Sequence, residues 1–206
     1  MPKSPIPRKS VYRLSLYQRA LQRLRDNSVP TVSSAALAKA AGVKPTQLRK
    51  DLTHVGHFGI RGLGYDVEAL SASLTATLGM TTLQPVILVG AGNLGVALLH
   101  YEGFAKEGFE IVAAFDTDPQ RCLAAGDKIP LLGMGDLKAF VESRLIKMVI
   151  LAVPATAAQE AANELVSAGI QGILNFSPII LHVPDGVVVN NVDLAIELEN
   201  LSYFIK

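Results

Sequence analysis

The sequence predicts an α/β protein built in two parts. A winged helix-turn-helix domain comes first, then a doubly wound parallel sheet of the Rossmann kind, closed by an apolar C-terminal helix. Three observations carry this prediction. Residues 85–118 run strand, G-x-G-x-x-G, helix, strand and acid, in that order, within about one βαβ unit. Residues 33–54 run helix, glycine turn and helix, with basic and hydroxyl side chains gathered on one face of the second helix. Charge is also split along the chain: residues 1–64 hold 12 Lys or Arg against only Asp26 and Asp51, a net +10, whereas residues 65–206 are net −9. The expected domain boundaries are 1–79, 80–192 and 193–206.

Composition narrows the function classes. Half of the 206 residues are hydrophobic, enough to bury a core. No run of about 18 apolar residues and no charged-then-apolar leader is seen, so a soluble cytoplasmic protein with no membrane partner is expected. Cys122 is the single cysteine, which excludes an intrachain disulfide and a thiol-rich metal site. A strongly basic segment ahead of an acidic one marks a candidate polyanion binder.

Taken in order, residues 1–7 carry three prolines and read as an extended arm. Val11, Leu14, Tyr17, Leu21 and Leu24 recur every three or four residues and predict an amphipathic helix over 9–25. Asn27-Ser28-Val29-Pro30 ends it. Ser33 or Ser34 caps a short alanine-rich helix through Ala41; Gly42 closes that helix, and Pro45 opens the next as its first residue. In the helix over 45–54, Leu48, Leu52 and Val55 share one face, and Thr46, Arg49, Lys50 and Thr53 share the other. Arg and Lys reach guanine edges or phosphates, and Thr reaches phosphates or thymine methyls. Lys44, Thr46, Arg49, Lys50 and Thr53 are therefore the candidate DNA contacts.

Four glycines within 56–65 suit a tight hairpin, read as a wing with Arg61 aimed at a minor groove or a phosphate. His54 and His57 stand close in sequence, but no acid or cysteine completes a metal site with them. Residues 66–78 form a linking helix, and 80–84 the hinge into the second part.

Residues 86–89 then give the continuous apolar run of a strand buried on both faces. Gly90, Ala91, Gly92, Asn93, Leu94 and Gly95 form the phosphate-binding turn: Gly90 permits the sharp bend, Gly92 the approach of a pyrophosphate, and Gly95 close helix–strand packing. The following helix, on which Leu94, Ala97, Leu98 and Tyr101 fall at helical spacing, points its free N–H groups at the phosphates. Asp116 ends the next apolar run, where a carboxylate accepts hydrogen bonds from an adenosine ribose. The nearest cation is Arg121, which favours NAD over NADP.

Beyond Asp118 the alternation continues: helix 136–143, strand 147–153, helix 155–168 ended by Gly169, strand 172–175 and strand 187–189. Ligands in such sheets sit at the carboxyl ends of the strands. Ala152, Val153 and Pro154, and Asn175-Phe176-Ser177-Pro178, are thus candidate walls for the nicotinamide half, or ordinary strand-to-helix turns. Leu194, Leu198, Leu201 and Ile205 make one apolar stripe, with Tyr203 and Phe204 adding aromatic bulk. A dimer partner is a natural surface for it, since a protein reading a palindrome must itself be two-fold.

Gln47-Leu48-Arg49-Lys50-Asp51-Leu52, Arg61-Gly62-Leu63-Gly64-Tyr65, the 90–95 turn, Asn175-Phe176-Ser177-Pro178 and residues 187–194 closely resemble the Rex redox-sensing repressors, in the same order along nearly the whole chain. The resemblance implies a bacterial cytoplasmic homodimer whose C-terminal helix is exchanged between subunits. It implies operator binding in the absence of NADH, release by NADH and competition from NAD+. It also makes Arg49, Lys50 and Arg61 DNA contacts, and Arg19, Tyr101 and Asp193 a redox switch beside the nicotinamide. The family carries two aromatics after its Asp-Leu-Ser stretch; here that pair is His54-Val55, a departure that bears on packing beneath the wing.

The rival class is a small NAD-dependent dehydrogenase with a basic N-terminal extension. Hydride transfer needs a positioned acid or base and a substrate-binding part. Neither His100 nor His182 has a partner acid in view, and little chain remains beyond the dinucleotide fold, so no catalytic residue is expected. A CoA-binding or structural Rossmann module with a protein-docking N-terminus is disfavoured by the basic helix face alone.

Overall fold

The computed structural model describes residues 6–60, 62–118 and 129–205, which fall into two compact units, Met1–Thr82 and Leu83–Lys206. Arg61, Arg121 and Cys122, and most of the proline-rich arm, lie outside the described residues.

The first unit runs α1 (Arg8–Asp26), β1 (Thr31–Val32), α2 (Ser34–Ala40), α3 (Pro45–Leu52), β2 (Gly59–Ile60), β3 (Gly64–Asp66) and α4 (Val67–Thr77). The stripe on α1 is buried at Leu14, Tyr17 and Leu21, whereas Val11, its expected first member, is 38% exposed. Leu37 of α2, Leu48 and Leu52 of α3, and Leu70 and Leu74 of α4 complete one core. Ser33, not Ser34, caps α2, its Oγ accepting from the Ala36 N–H at 3.1 Å. Gly42 turns the chain at φ +69°, a conformation only glycine adopts without strain, and Pro45 opens α3.

The wing is antiparallel, β2 pairing β3 with Gly59 opposite Tyr65 and Ile60 opposite Gly64. β3 also pairs β1, a two-residue strand that carries no periodicity of its own, to give the sheet order β1-β3-β2. Val55 and Phe58 are partly buried against the same core, so Val55 of the His54-Val55 pair packs inward. Asp66 caps α4, its Oδ1 accepting from the Ala69 N–H at 2.8 Å.

The second unit runs β4 (Gln84–Val89), α5 (Asn93–Leu99), α6 (Gly103–Lys106), β5 (Phe109–Asp116), β6 (Leu131–Gly133), a 3-10 turn at Met134–Asp136, α7 (Leu137–Arg144), β7 (Met148–Leu151), α8 (Ala155–Ser167), β8 (Gly172–Asn175), β9 (Val188–Asn191) and α9 (Leu194–Phe204). Its six strands are all parallel, in the order β6-β5-β4-β7-β8-β9. Counted from β4 as the first, this is the 3-2-1-4-5-6 order of dinucleotide folds.

Side chains alternate across the central strand. Ile87 and Val89 join the larger core with Leu137 and Val141 of α7 and Ala158, Ala162 and Leu165 of α8. Val86 and Leu88 face the other side and are buried there beneath Leu98, Leu99 and Phe104, which are themselves partly exposed. The helix after the glycines is shorter than its spacing predicts: α5 ends at Leu99, so Tyr101 lies beyond it rather than on its apolar face. The chain turns there into α6, a four-residue helix with no sequence periodicity to announce it.

Candidate nucleic-acid interface and nucleotide cleft

The outer face of α3 is the one that the spacing predicts. Lys44, Thr46, Arg49, Lys50 and Thr53 are all exposed, while Leu48 and Leu52 are buried. The helix is shorter than 45–54: Leu52 is its last residue and Thr53 its C-cap, the Thr53 hydroxyl donating to the Lys50 carbonyl at 2.7 Å. Arg49 reaches back to α2, its Nη1 donating to Ser34 Oγ at 3.3 Å. Burial pushes the Tyr65 phenol up, and the nearby Arg49 charge opposes that.

What sequence reasoning missed is the other side of α3. Asp51 is 1% exposed and accepts from four side chains. Arg13 is bidentate to it, Nε at 2.6 Å and Nη2 at 2.7 Å; Tyr17 OH lies at 2.8 Å, Gln47 Nε2 at 3.0 Å and Ser10 Oγ at 3.1 Å. Burial alone would raise this carboxyl, but the hydrogen bonds from Arg13, Tyr17, Gln47 and Ser10 overrule it and hold it down at about 2. Correspondingly the Tyr17 phenol is pushed up, first by burial and then by donating to Asp51. The signal available in the sequence was one acid on a basic helix, with Ser10, Arg13 and Tyr17 on one face of α1 to meet it.

At the carboxyl edge of the second unit's sheet, where strand order reverses between β4 and β7, lies a cleft of about 920 Å³. This is the position at which open α/β sheets bind their ligands. Gly90, Ala91, Gly92, Asn93, Asp116, Val153 and Pro154 of the expected residues line it. The three glycines differ in what constrains them. Gly90 has φ +96°, and a Cβ there would meet the Ala152 carbonyl oxygen at 2.5 Å. A Cβ at Gly95 would strike the Gly90 carbonyl oxygen. At Gly92 a Cβ would meet nothing within 4 Å, so the protein's own packing does not require that glycine, and its bare backbone opens onto the cleft.

Asp116 already serves the turn: its Oδ2 accepts from the Ala91 N–H at 2.8 Å and its Oδ1 from the Asp118 N–H at 2.9 Å. Spacing did not single out the rest of the lining, which includes Thr117, Asp118, Met134 and the α8 face Ala157, Glu160, Ala161 and Glu164. The helical periodicity of those four was a signal present in the sequence. Asn175-Phe176-Ser177-Pro178 does not line the cleft but backs it, Ser177 Oγ donating to the Val153 carbonyl at 2.7 Å. Asn175, fully buried, holds that loop: its Nδ2 donates to the Ser177 carbonyl at 3.1 Å and the Ile179 carbonyl at 3.0 Å, and to Asn191 Oδ1 at 2.9 Å.

Leu94, Gly95 and Tyr101 are not among the residues lining the cleft. Tyr101 is 59% exposed and meets Phe104 edge to face, ring centroids 5.0 Å apart; Gly103 leaves the space that its ring occupies. Asp193 is the N-cap of α9, its Oδ1 accepting from the Ala195 and Ile196 N–H groups at 2.9 and 3.2 Å. Arg19 is an exposed residue of α1. No group of three or more His, Cys, Asp or Glu that could hold a metal occurs among the described residues.

A helix-turn-helix with a basic outer face and a dinucleotide fold in one chain define the class of nucleotide-responsive DNA-binding proteins. The comparisons narrow it further. Residues 5–53 match the family described as a putative DNA-binding protein N-terminus, and residues 81–179 match the CoA binding domain. The redox-sensing transcriptional repressor Rex of Streptomyces avermitilis is 47% identical over 198 residues, 96% of this chain and 79% of that one. The crystal structure of RSP, a Rex-family repressor, in complex with β-NAD+ and operator DNA superposes with a TM-score of 0.88 at 37% identity, covering 98% of this chain and 94% of that one. RSP in complex with β-NADH gives a TM-score of 0.86 at 36% identity, covering 98% and 95%. The chain belongs to the Rex family of redox-sensing transcriptional repressors.

Proposed function

We propose that this chain is a cytoplasmic transcriptional repressor that binds operator DNA as a homodimer and is released by NADH, with NAD+ competing for the same cleft. The observation that carries this reading is the pairing of the exposed α3 face with a nucleotide cleft, in a chain whose relatives are named repressors rather than dehydrogenases. Thr46, Arg49, Lys50 and Thr53, with Lys44 and Arg61, are the DNA contacts. Cations among them neutralise phosphates and release counterions, while Arg49 and Lys50 have the donors to read guanine edges.

Gly90, Ala91, Gly92 and Asn93, which line the cleft, cradle the pyrophosphate, Gly95 lets the turn pack closely behind them, and Asp116 faces the adenosine ribose. Asp116 and Asp118 together at the end of β5 disfavour a 2′-phosphate, which selects NAD(H) over NADP(H). Val153 and Pro154 stand at the nicotinamide end. No helix among the described residues is long and apolar enough to cross a membrane.

Dimerisation is supported by α9. Leu194, Leu198 and Leu201, with Ile205 just beyond, are between 60% and 81% exposed, an apolar stripe that water disfavours. Exchange of α9 between two copies buries that stripe. Arg19, Tyr101 and Asp193 form the switch. The oxidised ring is cationic and the reduced ring neutral, so an ionic group beside it distinguishes them; a nucleotide shifts DNA affinity only through that difference.

The reading is tested with a fluorescent duplex selected by the full-length chain from a random pool. NADH is expected to lower its occupancy, and turnover of an alcohol or hydroxy acid is not expected. A duplex that stays bound at saturating NADH overturns the reading.

A further inference from the structure

Asp51 is the single carboxylate on a helix otherwise given to basic, hydroxyl, amide and apolar side chains, in a segment of net charge +10. Its charge opposes DNA binding, and burying it has a desolvation cost that an apolar residue in the same place would avoid. Its geometry is nonetheless fully engaged. Oδ1 accepts from Ser10, Arg13 Nη2 and Gln47, and Oδ2 accepts from Arg13 Nε and Tyr17. Ser10, Arg13 and Tyr17 lie on successive turns of one face of α1, and Arg13 Nη2 also donates to Ser10 Oγ at 3.1 Å, closing the cluster.

The apolar contacts of Leu48 and Leu52 hold α3 on the core but have no direction, so they tolerate a roll or slide of the helix. A bidentate guanidinium–carboxylate pair does not, because both its hydrogen bonds fix distance and angle at once.

We propose that Asp51 is a positioning residue for sequence reading: it sets the roll and tilt of α3 on α1 so that Thr46, Arg49 and Lys50 meet base edges in register. This rests on the DNA-reading function proposed above. Base contacts need that register, whereas phosphate contacts and counterion release survive its loss. The assignment therefore concerns the ratio of specific to non-specific affinity, which a purely structural role would leave unchanged.

The test uses the full chain, the selected duplex and a scrambled duplex of equal length and composition, measured by anisotropy at one salt concentration. For Asp51→Asn the selected duplex is expected to weaken by about tenfold or more. The scrambled duplex is expected to hold or tighten, since a negative charge has been removed. Tyr17→Phe removes one hydroxyl without changing packing, and should give a smaller loss of the same kind. Leu52→Ala, which loosens packing alone, should weaken both duplexes together in proportion to the unfolded fraction. If Asp51→Asn fails to fold, Tyr17→Phe decides.

A wild-type chain that does not distinguish the two duplexes overturns the DNA-reading function, and this proposal with it. A wild-type preference that both variants retain, or that they lose only in step with folding, overturns this proposal alone.

Discussion

Asp51 and the glycines of the 90–95 turn show how single positions divide between stability and binding. Asp51 sits at about 2 in the folded chain against an ordinary value of 3.8, so its folded value is depressed. Its contribution is therefore complete above about pH 4 and is lost as pH falls through about 2, an effect of about 2 kcal/mol. Urea unfolding between pH 6 and pH 2 should show this loss in the wild type, and Asp51→Asn should be weaker at neutral pH yet flatter across that window. Equal slopes for the two proteins would mean that the Arg13 and Tyr17 contacts do not stabilise the ionised form. The glycines separate differently. Gly95→Ala drives a Cβ into the Gly90 carbonyl and should destabilise the unit by about 2 kcal/mol or more, seen as a fall in Tm. Gly92→Ala meets open space at φ −70°, so stability should change by about 0.5 kcal/mol or less while NADH affinity, read by nucleotide fluorescence, falls.

α3 and α9 are the elements whose exposed surface the proposed function assigns to partners. Arg49→Ala should weaken the selected duplex by about 1–3 kcal/mol and relax one base position if Arg49 reads a base. A phosphate contact would instead lower the salt dependence across all sequences. Leu198→Asp on α9 should shift the chain toward monomer in sedimentation equilibrium, because a charge replaces an apolar side chain that is 67% exposed in the single chain. An unchanged assembly state would show that α9 buries its stripe elsewhere.

The same elements show what was legible beforehand. α1, α3, β4 and α8 carry long apolar patterns, and each was readable to within a few residues. β1, β6 and α6, of two, three and four residues, are too short to hold a period, and they form because neighbouring elements pair with or enclose them. Tyr101 continued the helical spacing of Leu94, Ala97 and Leu98, but His100 caps α5 and ends it first. The partners of Asp51 were legible only as one acid on a basic helix and a polar face on α1, because they stand far apart along the chain and only folding pairs them. In the cleft, the strand-glycine-acid motif announced Gly90, Gly92 and Asp116, whereas Glu160 and Glu164 of α8 arrive there by topology.

Across the molecule, the charge split along the sequence follows the division into two units: the excess cations fall in the unit with α3, and the excess acids in the unit with the cleft. Each unit has its own core, so a change in one need not unfold the other. On the proposed function, that separation lets nucleotide binding change DNA affinity without unfolding the DNA-binding unit. The coupling is reciprocal: operator DNA must weaken NADH binding by the same factor by which NADH weakens DNA binding. Tyr101→Ala or Asp193→Ala should shrink that factor while leaving operator affinity in the absence of nucleotide largely intact. Asp193→Ala should also cost about 1 kcal/mol through loss of the α9 cap.

The most direct measurement holds total nucleotide constant and varies the fraction that is NADH, following the occupancy of a selected duplex. Occupancy should fall as the reduced fraction rises, and the midpoint should stay at the same NADH/NAD+ ratio when total nucleotide is raised further above saturation. Occupancy that ignores the ratio, or that tracks total nucleotide alone, would contradict the account.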